Sequence, residues 1–217
     1  MRDDRERIFG AIRRGLRGYS KFTADRNGKS PLKAHAPKNF ELNFEKFKTE
    51  LSLLDGEAVV LNDHSSISNF LLSRTKNNAD VFIYDEIKSL YGASLSEIEK
   101  TRSVKFASDF DNNYDKREVA VFDAAISTCA ACIAETGTII IDNRMRLPAA
   151  LATKLFIIAE PSELIASLDE LFTDRFRNFK GSNLFLITGP SRTADIEKEL
   201  VTGVHGPKEV YIIFFQH

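Results

Sequence analysis

Short apolar runs alternate with helix-like segments along this chain, and that alternation constrains the fold more than any other feature. Runs of strand length lie at residues 58–61, 81–84, 138–141, 155–158 and 209–215. Strands that alternate with helices form a mostly parallel sheet with helices on both faces. The sequence therefore predicts an α/β fold, over residues 40–217.

Three helices within residues 40–217 are predicted from the spacing of apolar side chains. The first carries its apolar face on Phe40, Phe44, Phe47, Leu51 and Leu54. The second helix follows the run at 155–158, and the side chains that it directs toward the core are Leu164, Ile165, Leu168, Leu171 and Phe176. Between the first helix and the run at 81–84, Ile67, Phe70 and Leu71 indicate a further helix.

Residues 1–39 form a separate arm in this interpretation. Ile8, Ile12 and Leu16 recur every fourth residue, which predicts a short amphipathic helix. Residues 18–39 are rich in Gly, Ser, Lys, Asn and Pro and have little periodicity, as is typical of a linker or loop. We expect the arm to pack on a partner subunit, giving a homo-oligomer, or to cover a site.

The composition excludes several partners. Lys and Arg total 30 against 31 acidic residues, a formal net charge of −1, which gives no overall attraction to nucleic acid. No apolar stretch reaches the ~18 to 20 residues that span a bilayer, and the charged start is unlike a signal peptide. A cytoplasmic protein without a membrane span is expected.

The chain has two cysteines, Cys129 and Cys132, in a Cys-Ala-Ala-Cys run. Such a pair is redox-active, half of a metal site, or two small buried side chains. The small apolar neighbours favour burial. Because zinc and iron–sulfur sites usually take four ligands, no metal and no cofactor is predicted in this chain.

A candidate anion site lies at residues 189–196, where Gly-Pro-Ser-Arg-Thr-Ala-Asp-Ile follows a predicted buried strand at 183–188. Ser191 or Thr193 can cap a helix running through Ile196 and Leu200, whose first-turn amides then face a ligand. With Arg192 beside them, those amides favour a phosphate or carboxylate. Alternatively, the hydroxyls only cap the helix and Arg192 pairs with Asp195.

A second turn, Gly-Val-His-Gly-Pro at residues 203–207, precedes the last strand. His205 lies between Gly203 and Gly206, and a histidine in such a glycine-rich turn packs poorly in a hydrophobic core. Because a histidine titrates near neutral pH, His205 is a candidate acid, base or ligand donor.

The third motif is Ala-Glu-Thr-Gly-Thr at residues 134–138, a glycine turn before a strand. Glu135 is a candidate general base or nucleophile, since a carboxylate among apolar groups can hold or accept a proton. The alternative is a turn in which Glu135 is solvated or hydrogen-bonded to the backbone.

Together these three motifs resemble the lactate-utilization (LUD) domain family, in particular its members of the lactate utilization protein C type, over about residues 40–215. The resemblance implies a fold similar to the superfamily of ribose-5-phosphate isomerase, glucosamine-6-phosphate deaminase and CoA transferases. It also implies a non-redox subunit that works with two iron–sulfur partner proteins in oxidising L-lactate to pyruvate. The clusters are then held by the partners.

The predicted substrate or anion-binding residues come from all three motifs together with Arg146, which matches an arginine that the family often carries. They are Thr136, Gly137, Thr138, Arg146, Gly189, Pro190, Ser191, Arg192, Thr193, Asp195 and Gly206. The chain departs from the family where a histidine often follows that arginine and Leu155 stands instead. It also has Thr128 and Ala130 where a glycine and an aspartate are common.

Three functions stay open at this point. The first is the subunit of a lactate-oxidising complex. The second is a stand-alone acyl or CoA transferase or sugar-phosphate isomerase that uses Glu135 and His205, an argument from fold alone. The third is a ligand-binding regulatory module without chemistry.

Overall fold

A computed structural model describes residues 39–109, 122–142, 146–171, 184–196, 199–202 and 206–216. The predictions for residues 1–38, Phe176 and His205 therefore lie outside the described residues. Side chains of residues 142, 146–148, 192–196 and 199–202 are likewise outside the description, which gives only their backbone.

Six of the described strands form one sheet, called the large sheet below, and every pair of neighbouring strands in it is parallel. These strands are β1 (Glu57–Leu61), β2 (Asp80–Ile83), β3 (Ser103–Phe106), β4 (Ala124–Ser127), β7 (Lys154–Ala159) and β12 (Glu209–Phe215). Their order across the sheet is β1, β12, β7, β4, β2, β3. The predicted α/β fold with a mostly parallel sheet is confirmed.

Four of the described helices lie next to these strands in the chain, and the first two coincide with helices that the sequence predicts. They are α1 (Phe40–Ser52), α2 (His64–Arg74), α3 (Asp85–Thr101) and α4 (Arg146–Leu151). In α1 the buried residues are Phe44, Phe47 and Leu51. The rings of Phe40, Phe44 and Phe47 all lie within 5.8 Å of the Phe214 ring on β12, so aromatic packing fixes this helix on the sheet.

A smaller sheet, unexpected from the sequence, packs beside the large one and is called the small sheet. Within the described residues its order is β8 (Leu164–Ile165), β5 (Ala131–Ile133), β6 (Thr138–Asp142) and β9 (Leu184–Ile187). The β5–β6 and β6–β9 pairs are antiparallel. The strand predicted at 183–188 thus exists, but β9 is only partly buried rather than a core strand.

The helix predicted from Leu164, Ile165, Leu168 and Leu171 is wrong over its first half. Leu164 and Ile165 instead form β8, whose pairing with Cys132 and Ile133 completes the small sheet. The helix in this segment, α5 (Leu168–Glu170), has only three residues. Ser167 caps its start by accepting a hydrogen bond from the amide of Glu170. Burial of Leu164 and Ile165 against β5 outweighs their helical spacing.

Leu155 lies fully buried in β7, where its register partners are Ala125 on β4 and Val210 on β12. An apolar side chain suits this position in the middle of the large sheet. In the described part of the chain, no helix is both long enough and apolar enough to cross a membrane.

Candidate functional site

The Glu135 carboxylate is hydrogen-bonded to the backbone of a neighbouring segment. Its Oε1 accepts a hydrogen bond of 2.6 Å from the amide of Leu168, the first residue of α5. The Glu135 amide in turn donates to the carbonyl of Ala166 at 3.1 Å. The arrangement matches the alternative in which Glu135 is bound to backbone at a turn.

A chain of three hydroxyl groups links the turn before β6 to the end of β9. Thr136 donates to Thr138 Oγ1 at 2.7 Å, and Thr138 Oγ1 lies 2.9 Å from Thr188 Oγ1. Thr138 is only 4% exposed, so burial of its hydroxyl depends on these partners. The Ala-Glu-Thr-Gly-Thr motif at 134–138 is therefore hydrogen-bonded to Thr188, the residue directly before the motif at 189–196.

Gly137 and Gly189 both bring their turns against the end of α1. Each has a left-handed φ, 63° and 84° respectively, which favours glycine. A Cβ atom at Gly137 would lie 2.6 Å from the Leu51 amide nitrogen, and one at Gly189 would lie 2.8 Å from Leu54 Cβ. Close approach to the same helix explains why glycine is required in both motifs.

The helix predicted after Gly189 is wrong, because residues 192–196 and 199–202 form two paired strands. Strand β10 (Arg192–Ile196) pairs antiparallel with β11 (Glu199–Thr202), with Arg192 opposite Thr202 and Thr193 opposite Val201. The β-branched residues in this segment favour strands over helices. The predicted cradle of free helical amides is consequently absent at this turn.

Two further observations revise the predicted anion site. The Ser191 amide donates to the Pro207 carbonyl at 2.8 Å, so it is already satisfied. The strand before Gly189 is β9 in the small sheet, so this turn does not follow a strand of the large parallel sheet. Arg192, Thr193 and Asp195 lie in β10, and their side chains are outside the description.

The two C-terminal motifs nevertheless meet at one cavity of about 280 Å³. Gly189 and Ser191 from the first motif line it together with Gly206 and Pro207 from the second. A Cβ at Gly206 would lie 2.7 Å from Ser191 Cβ, which shows how closely the turns pack. Pro190 between them is buried.

The remaining walls of this cavity are largely apolar. They come from β6, α4 and β9 and include Ile141, Ala149, Ala150, Phe185, Leu186 and Ile187. Thr188 and Ser191 are the hydroxyl-bearing residues of the lining. Its size and lining suit a small organic molecule with an apolar part.

The structure separates the other predicted residues from this cavity or leaves them undescribed. Glu135 is not among the described residues that line the cavity. Arg146 begins α4, whose later residues Ala149 and Ala150 do line the cavity, but its side chain is outside the description. His205 lies outside the described residues.

A second group of chemically active side chains, unexpected from the sequence, lies near the carboxyl edge of the large sheet. The chain runs from β2 to β3 in one direction and from β4 to β7 in the other, which makes the edge between β2 and β4 a switch point. Ligands of open α/β sheets commonly bind at such a point. Cys129 follows β4 at this edge.

Tyr91 belongs to this second group and is almost completely buried. Burial raises the pKa of Tyr91 well above its ordinary value, and the charges of Glu163 and Glu160 raise it further. The helix α3 departs from helical geometry at Tyr91, where φ is −129° and ψ is 23°. The Gly92 that follows was the available sequence signal for this kink.

His64 lies near the same edge, at the start of α2. Its Nδ1 is 2.7 Å from the hydroxyl of buried Ser94, and its ring centroid is 5.0 Å from that of Phe215. The preceding residue, Asp63, caps the helix by accepting from the Ser66 amide. The position directly after β1 was the sequence signal that pointed to this edge.

The cysteines are buried and not disulfide-bonded, as the composition around them predicts. In the described residues no group of three or more His, Cys, Asp and Glu side chains has the arrangement of a metal site. The predicted burial of Cys129 and Cys132 is thus confirmed.

Comparison with known proteins identifies the family. The family model described as LUD domain matches residues 45–215. Lactate utilization protein C of Deinococcus radiodurans is 33% identical over 96 residues, which cover 42% of this chain and 45% of that protein. The protein of the same name from Macrococcus caseolyticus is 28% identical over 170 residues, 73% of this chain and 62% of that one.

A solved structure supports the fold. The crystal structure of a DUF162 family protein from Deinococcus radiodurans superposes with a TM-score of 0.62 at 16% sequence identity. The match covers 83% of this chain and 100% of that chain. The chain spans about half the length of the curated relatives that it matches first.

Proposed function

Because the chain belongs to the LUD domain family, we propose that it supports lactate utilization as a non-redox subunit. It works with two iron–sulfur partner proteins in the oxidation of L-lactate to pyruvate. Relatives that bear the name Lactate utilization protein C support the first part of this proposal. The three sequence motifs support the second part by their resemblance to that type of family member.

The cysteine content supports the assignment of the clusters to the partners. The chain contains two cysteines, three positions apart, whereas an iron–sulfur cluster usually takes four thiolates. Electrons from lactate are then transferred through the partners. This chain contributes binding and positioning instead.

The observation that carries the ligand site is the convergence of the two C-terminal motifs on one cavity. A small 2-hydroxy or 2-oxo carboxylate fits its chemistry, with its methyl group on the apolar wall and its polar groups toward Thr188 and Ser191. We assign the countercharge for the carboxylate to Arg192, the residue after Ser191, and to Arg146 at the start of α4. Backbone amides of a helix no longer enter this assignment.

The transferase hypothesis is not carried forward, because no described contact favours it. The Oε1 atom of Glu135 accepts from the Leu168 amide, and Glu135 does not line the described cavity. The homo-oligomer through residues 1–39 and the cytoplasmic location stay predictions.

Gene deletion tests the lactate role directly. We expect the deletion strain to lose growth on L-lactate as carbon source while it grows normally on pyruvate. Complementation with the wild-type gene should restore growth, and affinity purification of the tagged chain should recover two iron–sulfur proteins. Undiminished growth on L-lactate after deletion would refute the proposal.

Ligand-induced stabilisation tests the cavity. A ligand at ~100 times its dissociation constant adds roughly 2.7 kcal/mol to the free energy of unfolding. We expect L-lactate or pyruvate to raise the melting temperature of the wild type, and Arg192→Ala and Gly206→Ala to abolish the rise. Gly92→Ala is the matched control for Gly206→Ala, because nothing lies within 4 Å of a Cβ at Gly92. An equal shift in wild type and Arg192→Ala places the carboxylate elsewhere.

A further inference from the structure

The two thiols of the chain lie close enough to react with each other. Cys129 Sγ and Cys132 Sγ are 3.7 Å apart, although neither side chain is in a disulfide. A disulfide bond has a length of about 2.05 Å, so the two sulfur atoms have to approach by roughly 1.7 Å to bond. The chain has no other cysteine with which either thiol can pair.

A carboxylate lies next to the more accessible of the two thiols. Cys129 is 7% exposed and its thiol donates to Glu163 Oε2 at 3.7 Å, whereas Cys132 is fully buried. The same Glu163 oxygen accepts from the Glu160 amide at 2.8 Å, which fixes its position. A negative charge nearby disfavours a free thiolate, so the held carboxylate acts as a general base that takes up the thiol proton while the sulfur attacks.

The backbone on both sides of the pair is fixed by sheets. Cys129 follows β4 of the large sheet, and Cys132 lies in β5 of the small sheet, opposite Ile139 on β6 and Leu164 on β8. The Ala130 amide between them donates to the Ile140 carbonyl at 2.7 Å. Because both ends are held, the separation of the thiols is a property of the fold rather than of a free loop.

We propose that Cys129 and Cys132 form an intramolecular disulfide on reaction with hydrogen peroxide, a redox modification site at the carboxyl edge of β4. Hydrogen peroxide is small enough to reach the Cys129 thiol, whose residue is 7% exposed. This inference does not rest on the lactate role, since it concerns a reaction of the chain itself. It makes the protein sensitive to oxidants without making it an electron carrier.

The reaction balances in two steps. In the first, Glu163 accepts the Cys129 proton, the sulfur attacks one peroxide oxygen, and the oxygen–oxygen bond breaks. The leaving hydroxide takes up the proton as water, and Cys129 becomes a sulfenic acid. In the second, the Cys132 sulfur attacks the Cys129 sulfur, and the hydroxyl group leaves as water with the Cys132 proton. Two thiols are oxidised, and one peroxide is reduced to two waters.

Intact mass spectrometry of the full chain tests the proposal. After treatment of the folded protein with peroxide we expect a loss of about 2 Da, reversed by dithiothreitol, because two hydrogens leave in disulfide formation. Thiol titration in denaturant should fall from two groups per chain to none. Methionine sulfoxide adds mass and does not reverse with dithiothreitol, so it is distinguished from the disulfide.

Three variants assign the roles. Cys132→Ser should stop at a sulfenic acid on Cys129, a gain of about 16 Da that dimedone traps. Cys129→Ser should stay unmodified, since Cys132 is buried. Glu163→Gln should slow disulfide formation about tenfold near neutral pH, with the rate recovering at high pH where solvent removes the thiol proton.

The outcomes that overturn the proposal do not depend on the variants folding. The proposal is overturned if two thiols per chain can still be titrated after peroxide treatment of the folded wild type. It is likewise overturned by a disulfide that joins two chains on a non-reducing gel, or by stepwise gains of mass on the cysteines without the loss of about 2 Da.

Discussion

The large and small sheets differ in what holds their strands in place. The large sheet is parallel throughout and carries most of the hydrophobic core on both faces. The small sheet alternates between two environments: Cys132, Ile139 and Ile141 join the main core, whereas Ile133 and Ile140 belong to a separate small cluster. Apolar burial therefore suffices to define the large sheet, while the small sheet depends on its turns and on contacts with α1.

Phe214→Ala should have the largest effect, because it removes the side chain around which α1 packs on the large sheet. Phe214 is fully buried and contacts the rings of Phe40, Phe44 and Phe47. We expect the free energy of unfolding to fall by about 4 kcal/mol, as measured by urea denaturation.

Leu42→Ala is the control for Phe214→Ala, since Leu42 lies on the same helix with 70% exposure. Its substitution should change the free energy of unfolding by less than about 0.5 kcal/mol. Equal losses in the two variants would contradict the role of the aromatic cluster in holding α1.

Gly137→Ala should show that the small sheet depends on its turn. A Cβ there meets the Leu51 backbone at 2.6 Å, which cannot move without displacing α1, and φ is 63°. We expect a loss of about 3 kcal/mol in the free energy of unfolding. Gly92→Ala, which meets no atom within 4 Å, should be neutral or slightly stabilising. A neutral Gly137→Ala would mean that the turn is not fixed against the helix.

Asp63→Asn should reveal a smaller, pH-dependent contribution at the carboxyl edge of the large sheet. Hydrogen bonds from the Ser65 and Ser66 hydroxyls and the Ser66 amide lower the pKa of Asp63 from 3.8 to about 2. A folded-state pKa below the unfolded one gives stability that is present above pH 3.8 and lost as pH falls through about 2.

The wild type should accordingly exceed Asp63→Asn in urea midpoint at pH 6, and the difference should vanish as pH falls toward 2. Asparagine is the matched replacement, because it caps helices as well as aspartate but does not titrate in this range. A difference that stays constant with pH would contradict the assignment to Asp63.

Leu186→Ala should have the smallest effect on folding and a specific effect on ligand binding. Leu186 is 55% exposed on β9 and lines the cavity where the two C-terminal motifs meet. We expect the free energy of unfolding to change by less than about 0.5 kcal/mol and the lactate-induced shift in melting temperature to decrease. Leu90→Ala, 58% exposed on α3, should leave that shift unchanged.

Four of the six strands of the large sheet, β1, β2, β7 and β12, were predicted from apolar runs, whereas β3 and β4 were not. Leu155 to Ile158 and Glu209 to Phe215 were predicted as strands from their apolar runs, and β7 and β12 occupy them. The helix α1 follows in the same way from the spacing of Phe44, Phe47 and Leu51. Buried strands and helix faces of this kind show as apolar runs or as a regular spacing of apolar residues in the sequence.

The motif region was harder to predict, since its local signals are satisfied by more than one conformation. Ser191 and Thr193 are good helix caps, yet residues 192–196 form a strand whose backbone partners lie on β11. The pairing of Leu164 and Ile165 with β5 likewise has no counterpart in their spacing. The partner strand in each case is remote or equally ambiguous in sequence.

By itself the sequence determined the α/β class, the family and the residues that make up its three motifs, because apolar periodicity and motif order are properties of the chain alone. Only the tertiary structure decided that Gly137 and Gly189 lie against α1, that Gly189 and Gly206 share a cavity, and that Glu135 binds the Leu168 amide. It also brought the thiol of Cys129 to Glu163. These contacts join segments far apart in sequence, and the free energy that selects them comes from packing and hydrogen bonds that no single segment contains.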